Sequence, residues 1–238
     1  MKEFIKKLVK KIPVAFTQNQ KYDKQTLQII QKVCKAGSNC IDIGAHKGEV
    51  LDQMLKYAPG GKHYAFEPIP VLYNNLKEKY SATNCVISDI ALSNKKGRSS
   101  FNYVVSNPSY SGLIKRKYDR ADEQDTLIEV KTDLLDNVLP ANHKVDLVKI
   151  DVEGGELLVM EGARETLAKY KPVIIFEHGL GASDFYGSTP VKVFELLEGC
   201  GLKISRMIDW LNGKPSLTKE QFSSIYQQNS DYYFIAHT

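Results

Sequence analysis

Short apolar runs alternate with amphipathic stretches along most of the 238 residues. In KQTLQIIQKVCK, residues 24–35, Leu27, Ile30 and Val33 or Cys34 share one face behind Asp23, which predicts a helix with Asp23 as N-cap. NCIDIG, residues 39–44, reads as a buried strand, and a helix follows from about Glu49 to Tyr57 with Val50, Leu51 and Met54 inward. HYAFEP, VLYNNLKEKY and CVISDIAL continue as strand, helix and strand over residues 63–92. RSSFNYVV and LIEVKT alternate like extended segments, and between them residues 106–125 form a connection long enough to suggest a functional loop. DLLDNVLP reads as a short helix, VDLVKIDVEG as a fourth parallel strand, ELLVMEGARETLAKY as one helix, and PVIIFEHG as a fifth strand. A helix at PVKVFELLEGC and strands near LKISRM and DYYFIAH close the chain. Repeated strand-then-helix steps predict an α/β fold: a parallel sheet with helices on both faces.

Composition changes this picture little. Hydrophobic residues make up 42% and charged residues 25%, proportions that let a chain of this size bury a core without covalent staples. A net charge of +4 permits an acidic partner without demanding one, and it gives no case for nucleic acid. Cys34, Cys40, Cys85 and Cys200 form no C-x-x-C pair, so they are expected to be free thiols in a reducing compartment, with no metal site. No run of 18 apolar residues occurs, and a cytoplasmic location is expected. The opening MKEFIKKLVKKIP spaces Phe4, Ile5, Leu8, Val9 and Ile12 like a helix amid lysines, either lying on the domain or resting on a membrane surface through residues 1–12. The expected organisation is a helical extension over residues 1–37 and one domain over 38–238.

Candidate chemistry gathers where strands are expected to end. In CIDIGAHKGEV an acid, Asp42, precedes a turn with Gly44 and Gly48 at the start of a helix. A dinucleotide turn wants G-x-G-x-x-G, but Ala45 and His46 stand where further glycine would be needed. S-adenosylmethionine carries no phosphate, tolerates a looser turn, and suits an acid. A turn that simply requires small residues is the third reading. Glu67 ends the second strand, where an acid can accept from both ribose hydroxyls, and Asp89 with Ile90 ends the third, where they could meet an adenine amino group and ring face.

The run VDLVKIDVEGGELLVMEGARETL, with CIDIGAHKGEV, YAFEPIP, DIALSNKKG and PVIIFEHG, closely resembles the FkbM-type methyltransferase family over about residues 38–180. The resemblance implies a Rossmann-like class I methyltransferase sheet of seven mostly parallel strands, the last antiparallel. It implies binding of S-adenosyl-L-methionine and methylation of hydroxyl oxygens on sugars, polyketides or related small molecules. Asp42, Gly44, Ala45 and Gly48 fall on its cofactor turn, Glu67 on the ribose acid, and Asp89 with Ile90 on the adenine contact. Family members often carry Asn where this chain has His46.

Asp151 and Glu153 alternate to one face at the end of an apolar strand, where charge is costly without a purpose or partner. Glu156 suits the first turn of the helix after Gly154 and Gly155. Asp151, Glu177 and His178 are the candidate bases, with Asp151 also facing the cofactor and His178 assigned the proton transfer. No spacing singles out a metal site; Mg²⁺ held by carboxylates is the lesser alternative. KRKYDR, Lys115 to Arg120, is basic enough to greet an anionic group, and Tyr103, Tyr110 and Tyr118 to stack on a sugar. A nicotinamide-dependent reductase and a non-catalytic nucleoside-binding or membrane-docking protein are the rival readings.

Overall fold

The computed structural model describes residues 17–118 and 122–238. Helix α1 spans Gln18–Val33 and starts nearly two turns earlier than expected, because Thr17 and Gln20 form a reciprocal capping box ahead of Asp23. Strand β1 (Cys40–Ile43) leads to α2 (Glu49–Tyr57), β2 (His63–Phe66), α3 (Pro70–Lys79) and β3 (Cys85–Ser88). Then come β4 (Ile90–Leu92), β5 (Gly97–Val104), β6 (Asp125–Asp133), α4 (Leu135–Val138) and β7 (Leu147–Ile150). The chain continues through α5 (Glu156–Glu161), α6 (Arg164–Tyr170), β8 (Val173–Glu177), α7 (Pro190–Gly199), β9 (Lys203–Arg206), α8 (Met207–Leu211), α9 (Lys219–Gln227) and β10 (Tyr233–His237).

Seven strands form the main sheet in the order β3-β2-β1-β7-β8-β10-β9. β10 alone runs against its two neighbours, β8 and β9. The strand order reverses between β1 and β7, and that switch point opens a crevice at the carboxyl edge. Alternation along the strands divides the core. Ile41, Ile43, Val148, Ile150, Ile174 and Phe176 face the side covered by α4 to α7 and α9. Cys40, Ala65, Leu147, Ile175 and Ile235 face the side covered by α1, α2, α3 and α8.

Two expected elements divide. CVISDIAL is not one strand: β3 stays in the main sheet, whereas β4 joins β6 and β5 in a second, three-stranded sheet. The helix expected over residues 156–170 breaks at Gly162, where a Cβ would stand 2.1 Å from the Ser93 carbonyl oxygen. Asp136 then accepts from the Glu165 and Thr166 amides at 2.9 Å each and starts α6 afresh. Helices α8 and α9 were not anticipated. Cys34, Cys40 and Cys200 are buried free thiols, and Cys85 is half-buried. No helix among the described residues is long and apolar enough to cross a membrane. The expected membrane contact through residues 1–12 lies outside the described residues.

Candidate active site

A cavity of about 1220 Å³ opens at the carboxyl edge of the sheet on the α1 side, large enough for a nucleoside and a second small molecule together. At one end lie Gly44, Ala45, Glu67, Ile69 and Ile90. Glu67 is 4% exposed, and its two oxygens accept from the His46 amide at 2.8 Å and the Ile69 amide at 3.0 Å. Burial raises its carboxyl to about 7 against those two donors. The turn spends its amides inward: Gly44 and Ala45 donate to the Phe66 carbonyl at 3.0 and 3.1 Å, and Gly48 to the Ala45 carbonyl at 2.7 Å. With the His46 amide held by Glu67, these amides are not free to cradle a pyrophosphate, so the turn fits an uncharged nucleoside better than a dinucleotide.

The other end is acidic. Asp151, Glu153 and Glu177 bring carboxylate oxygens within 4.8 Å of one another. Lys149, buried in mid-strand, lies 2.9 Å from Asp151 Oδ2 and 4.0 Å from Asp42 Oδ1. Burial works to depress that ammonium, yet the Asp151 and Asp42 carboxylates hold it above the ordinary lysine range. The Tyr233 hydroxyl donates to the same Asp151 oxygen at 2.7 Å. Burial works to raise Asp151, but Lys149 and Tyr233 keep it below the usual carboxylate range. Glu153 adopts a left-handed φ of 59° and is pushed to about 8, first by burial and then by Asp151. Glu177, raised by burial and by Asp151, Glu153 and Glu156, sits well above its usual range. Glu156 is drawn away from the cavity, accepting from the Val152 and Gly154 amides at 3.0 and 3.2 Å.

Residues 105–118 run over this acidic end, with Tyr110, Leu113 and Arg116 on the cavity wall. Arg116 reaches down to pair with Glu153, and its guanidinium lies 4.9 Å over the Tyr110 ring. Tyr110 and Tyr118 stack with centroids 6.0 Å apart, and the Tyr186 hydroxyl accepts from the Ile114 amide at 3.0 Å. Lys115 pairs with Asp125 at 2.7 Å. Both cations are thus engaged by acids of this chain, and the expected greeting of an anion by KRKYDR finds no free charge at Lys115 or Arg116. Asp119 and Arg120 lie outside the described residues.

The cavity therefore gathers Gly44, Ala45, Glu67, Ile90, Asp151 and Glu177 from the expected set and leaves out four. Asp42 is 1% exposed beneath the turn, where burial raises it to about 6 against Lys149. Gly48 caps α2 at φ 78°, and a Cβ there would meet the Tyr80 hydroxyl at 2.3 Å, so its smallness serves packing. Asp89 stands at the hand-over from β3 to β4, paired with Lys131 at 2.9 Å, and away from the cavity. His178 follows Glu177 on alternating backbone, so it turns to the opposite face. It is 1% exposed, stacked on Tyr226 and Phe222 at 4.8 and 5.6 Å, and burial lowers it to about 4. The expectation that His178 is the base is corrected accordingly.

Sequence reasoning missed Lys149, Tyr233 and Tyr186, and expected Arg116 to meet an anionic group where it pairs with Glu153. Only Lys149 carried a local signal, a lysine set inside an otherwise apolar strand. The others arrive through tertiary register: Tyr233 pairs with Glu177 across β10 and β8 and reaches beyond it to Asp151.

Comparisons with known proteins agree with this architecture. The family model described as the methyltransferase FkbM domain matches residues 42–204. The chain is 30% identical over 223 residues to methyltransferase sdnD of Sordaria araneosa, covering 80% of this chain and 81% of that protein. It is 26% identical over 155 residues to the 2-O-methyltransferase NoeI of Sinorhizobium fredii, covering 60% of this chain and 64% of that one. A solved FkbM methyltransferase from Methylobacillus flagellatus superimposes with a TM-score of 0.52 at 14% identity, over 85% of this chain. This chain spans 44% of that solved chain, less than half its length. The chain belongs to the FkbM methyltransferase family, and the expected class I sheet and S-adenosylmethionine-dependent methyltransferase class both hold.

Proposed function

We propose that the protein transfers a methyl group from S-adenosylmethionine to a hydroxyl oxygen of a small molecule. The observation that carries this reading is the polarity of the cavity: a nucleoside seat whose turn amides are already used, and three clustered carboxylates opposite. The relative named a 2-O-methyltransferase supports oxygen as the acceptor atom. Residues 38–238 form the transferring unit in this reading, with α1 adding Tyr22 and Leu27 to the cavity wall.

Each half of the cavity has its task. Glu67 keeps one lone pair on each oxygen for the two ribose hydroxyls, while Ile69 and Ile90 flank the adenine. When bound, S-adenosylmethionine supplies a methyl group on a positively charged sulfur with a neutral leaving group. Asp151, held in its charged form through Oδ2, would have its other oxygen left to face that positive charge. The cover of Arg116, Tyr110 and Tyr186 excludes water and holds the acceptor in line, and positioning of this kind is worth about 7–11 kcal/mol of barrier. A carboxylate of the cluster takes the acceptor's proton, a contribution of about 10²–10⁴-fold. Metal has a poor case, because Asp151 and Glu153 already hold Lys149 and Arg116.

A labelled-methyl assay over a panel of sugars, lipid alcohols and polyketide alcohols tests the reading, with label expected on an ether oxygen. Binding of a reduced nicotinamide cofactor without binding of S-adenosylmethionine, or label on nitrogen or carbon, overturns it.

A further inference from the structure

At the acidic end of the cavity the carboxylates outnumber their cations. Asp151 and, more distantly, Asp42 share Lys149. Glu153 has Arg116. Glu156 is satisfied by two backbone amides. Glu177 lines the same cavity within 4.8 Å of Asp151 and Glu153, and among the described residues it has no hydrogen bond or ion pair. Three partly buried carboxylates within 4.8 Å of one another, with two partner cations, leave one charge uncompensated, so one proton stays on the cluster until a further cation arrives.

We propose that Glu177 is the general base of the methyl transfer, and that it gives up its own proton only when the positively charged methyl donor enters the cavity. The inference rests on the reading of this cavity as a methyl-transfer site. The groups facing Glu177 are Asp151, Glu153 and Glu156 from the β7 to α5 turn, Arg116 from the loop after β5, Tyr232 from the turn before β10, and Tyr233 from β10. Asp151 is the weaker base, since two donors already stabilise its charge at Oδ2. Glu177 has no such donor, and its proton affinity, raised by burial and by the neighbouring carboxylates, suits proton abstraction.

The balance closes. The acceptor O–H proton passes to the Glu177 carboxylate as the acceptor oxygen's lone pair forms the bond to the methyl carbon. The carbon–sulfur bond breaks with its electron pair going to sulfur. Before transfer the site holds one carboxylate and one sulfonium; afterwards it holds a carboxylic acid and a neutral thioether. The net charge of the cluster with its ligand is the same on both sides of the step, so no buried charge is created.

The test compares two ligands that differ by that single charge, S-adenosylmethionine and S-adenosylhomocysteine. Titration calorimetry in phosphate and in Tris near neutral pH reads the protons released on binding. S-adenosylmethionine should release about one proton more than S-adenosylhomocysteine. Glu177→Gln should abolish that difference while still binding S-adenosylhomocysteine. Equal proton release by the two ligands in the wild-type protein overturns the proposal without need of a variant. A difference that survives Glu177→Gln but is lost in Glu153→Gln overturns the assignment to Glu177. Binding of neither ligand overturns the methyl-transfer reading, and the proposal with it.

Discussion

Replacing Lys149 with methionine keeps the length of the side chain and removes its charge from the middle of the sheet. Lys149 is 8% exposed and is the register partner of Asp42 across β1 and β7. Its loss strands the buried Asp42 and the partly buried Asp151, and breaking a buried pair in this way costs about 3–5 kcal/mol. For a domain of this size that lowers Tm by about 6–20 °C. The loss also depends on pH. Without Lys149 the Asp151 carboxyl is no longer held below its usual range and Asp42, already raised to about 6, is raised further, so the folded protein binds more protons and stability falls as pH rises. The penalty should therefore be larger at pH 8 than at pH 5. Urea denaturation followed by circular dichroism at the two pH values measures both effects, and Asp151→Asn in the Lys149→Met background should recover part of the loss at pH 8. A Lys149→Met variant destabilised equally at both pH values, or by less than about 1 kcal/mol, would refute the account of Lys149 as the counter-ion of the site.

Gly44→Ala places a Cβ 1.8 Å from the Asp151 carbonyl oxygen at a φ of +78°, so a loss of about 2–4 kcal/mol and of S-adenosylmethionine binding is expected by thermal shift. His178→Leu should retain methyl transfer. Because the His178 pKa falls to about 4 in the fold, the wild-type protein loses stability as pH drops below about 6.5, and the variant should be spared about 2 kcal/mol of that loss at pH 5 in urea titrations. The free protein carries Asp42 at about 6, Glu67 and Glu156 at about 7, and Glu153 at about 8, all raised first by burial. Raised carboxyls bind protons in the fold, so its urea midpoint should fall steadily from pH 5 to pH 8; a midpoint that rises over this range contradicts the assignment.

The strands carrying the site were legible because each is a short apolar run closed by an acid or a glycine, and the parallel sheet followed from repeated strand–helix steps. Asp151 and Glu67 were legible for the same reason. His178 was misplaced through a rule the sequence does contain: adjacent strand residues face opposite ways, so Glu177 and His178 cannot both enter one cavity. The capping box of α9 was present as Thr218 and Gln221, three residues apart. The break at Gly162 was not legible, since it answers to the Ser93 carbonyl, 69 positions away and brought near only by folding. Tyr233 and Arg116 are of that kind too. Their targets, Asp151 and Glu153, lie 82 and 37 positions away, and no local pattern points across such spans.

The second sheet has a small core of its own, in which Ala91, Phe101 and Val130 pack with Ile69 and Leu72. It carries the loop between β5 and β6, whereas Gly44, Glu67 and Lys149 lie on or at the ends of strands of the main sheet. Descendants of such a chain can lengthen, shorten or exchange the segment over residues 97–133 and reach new acceptors while the machinery for the methyl donor is inherited intact. The hairpin and the main sheet can then vary independently, because each has a core of its own.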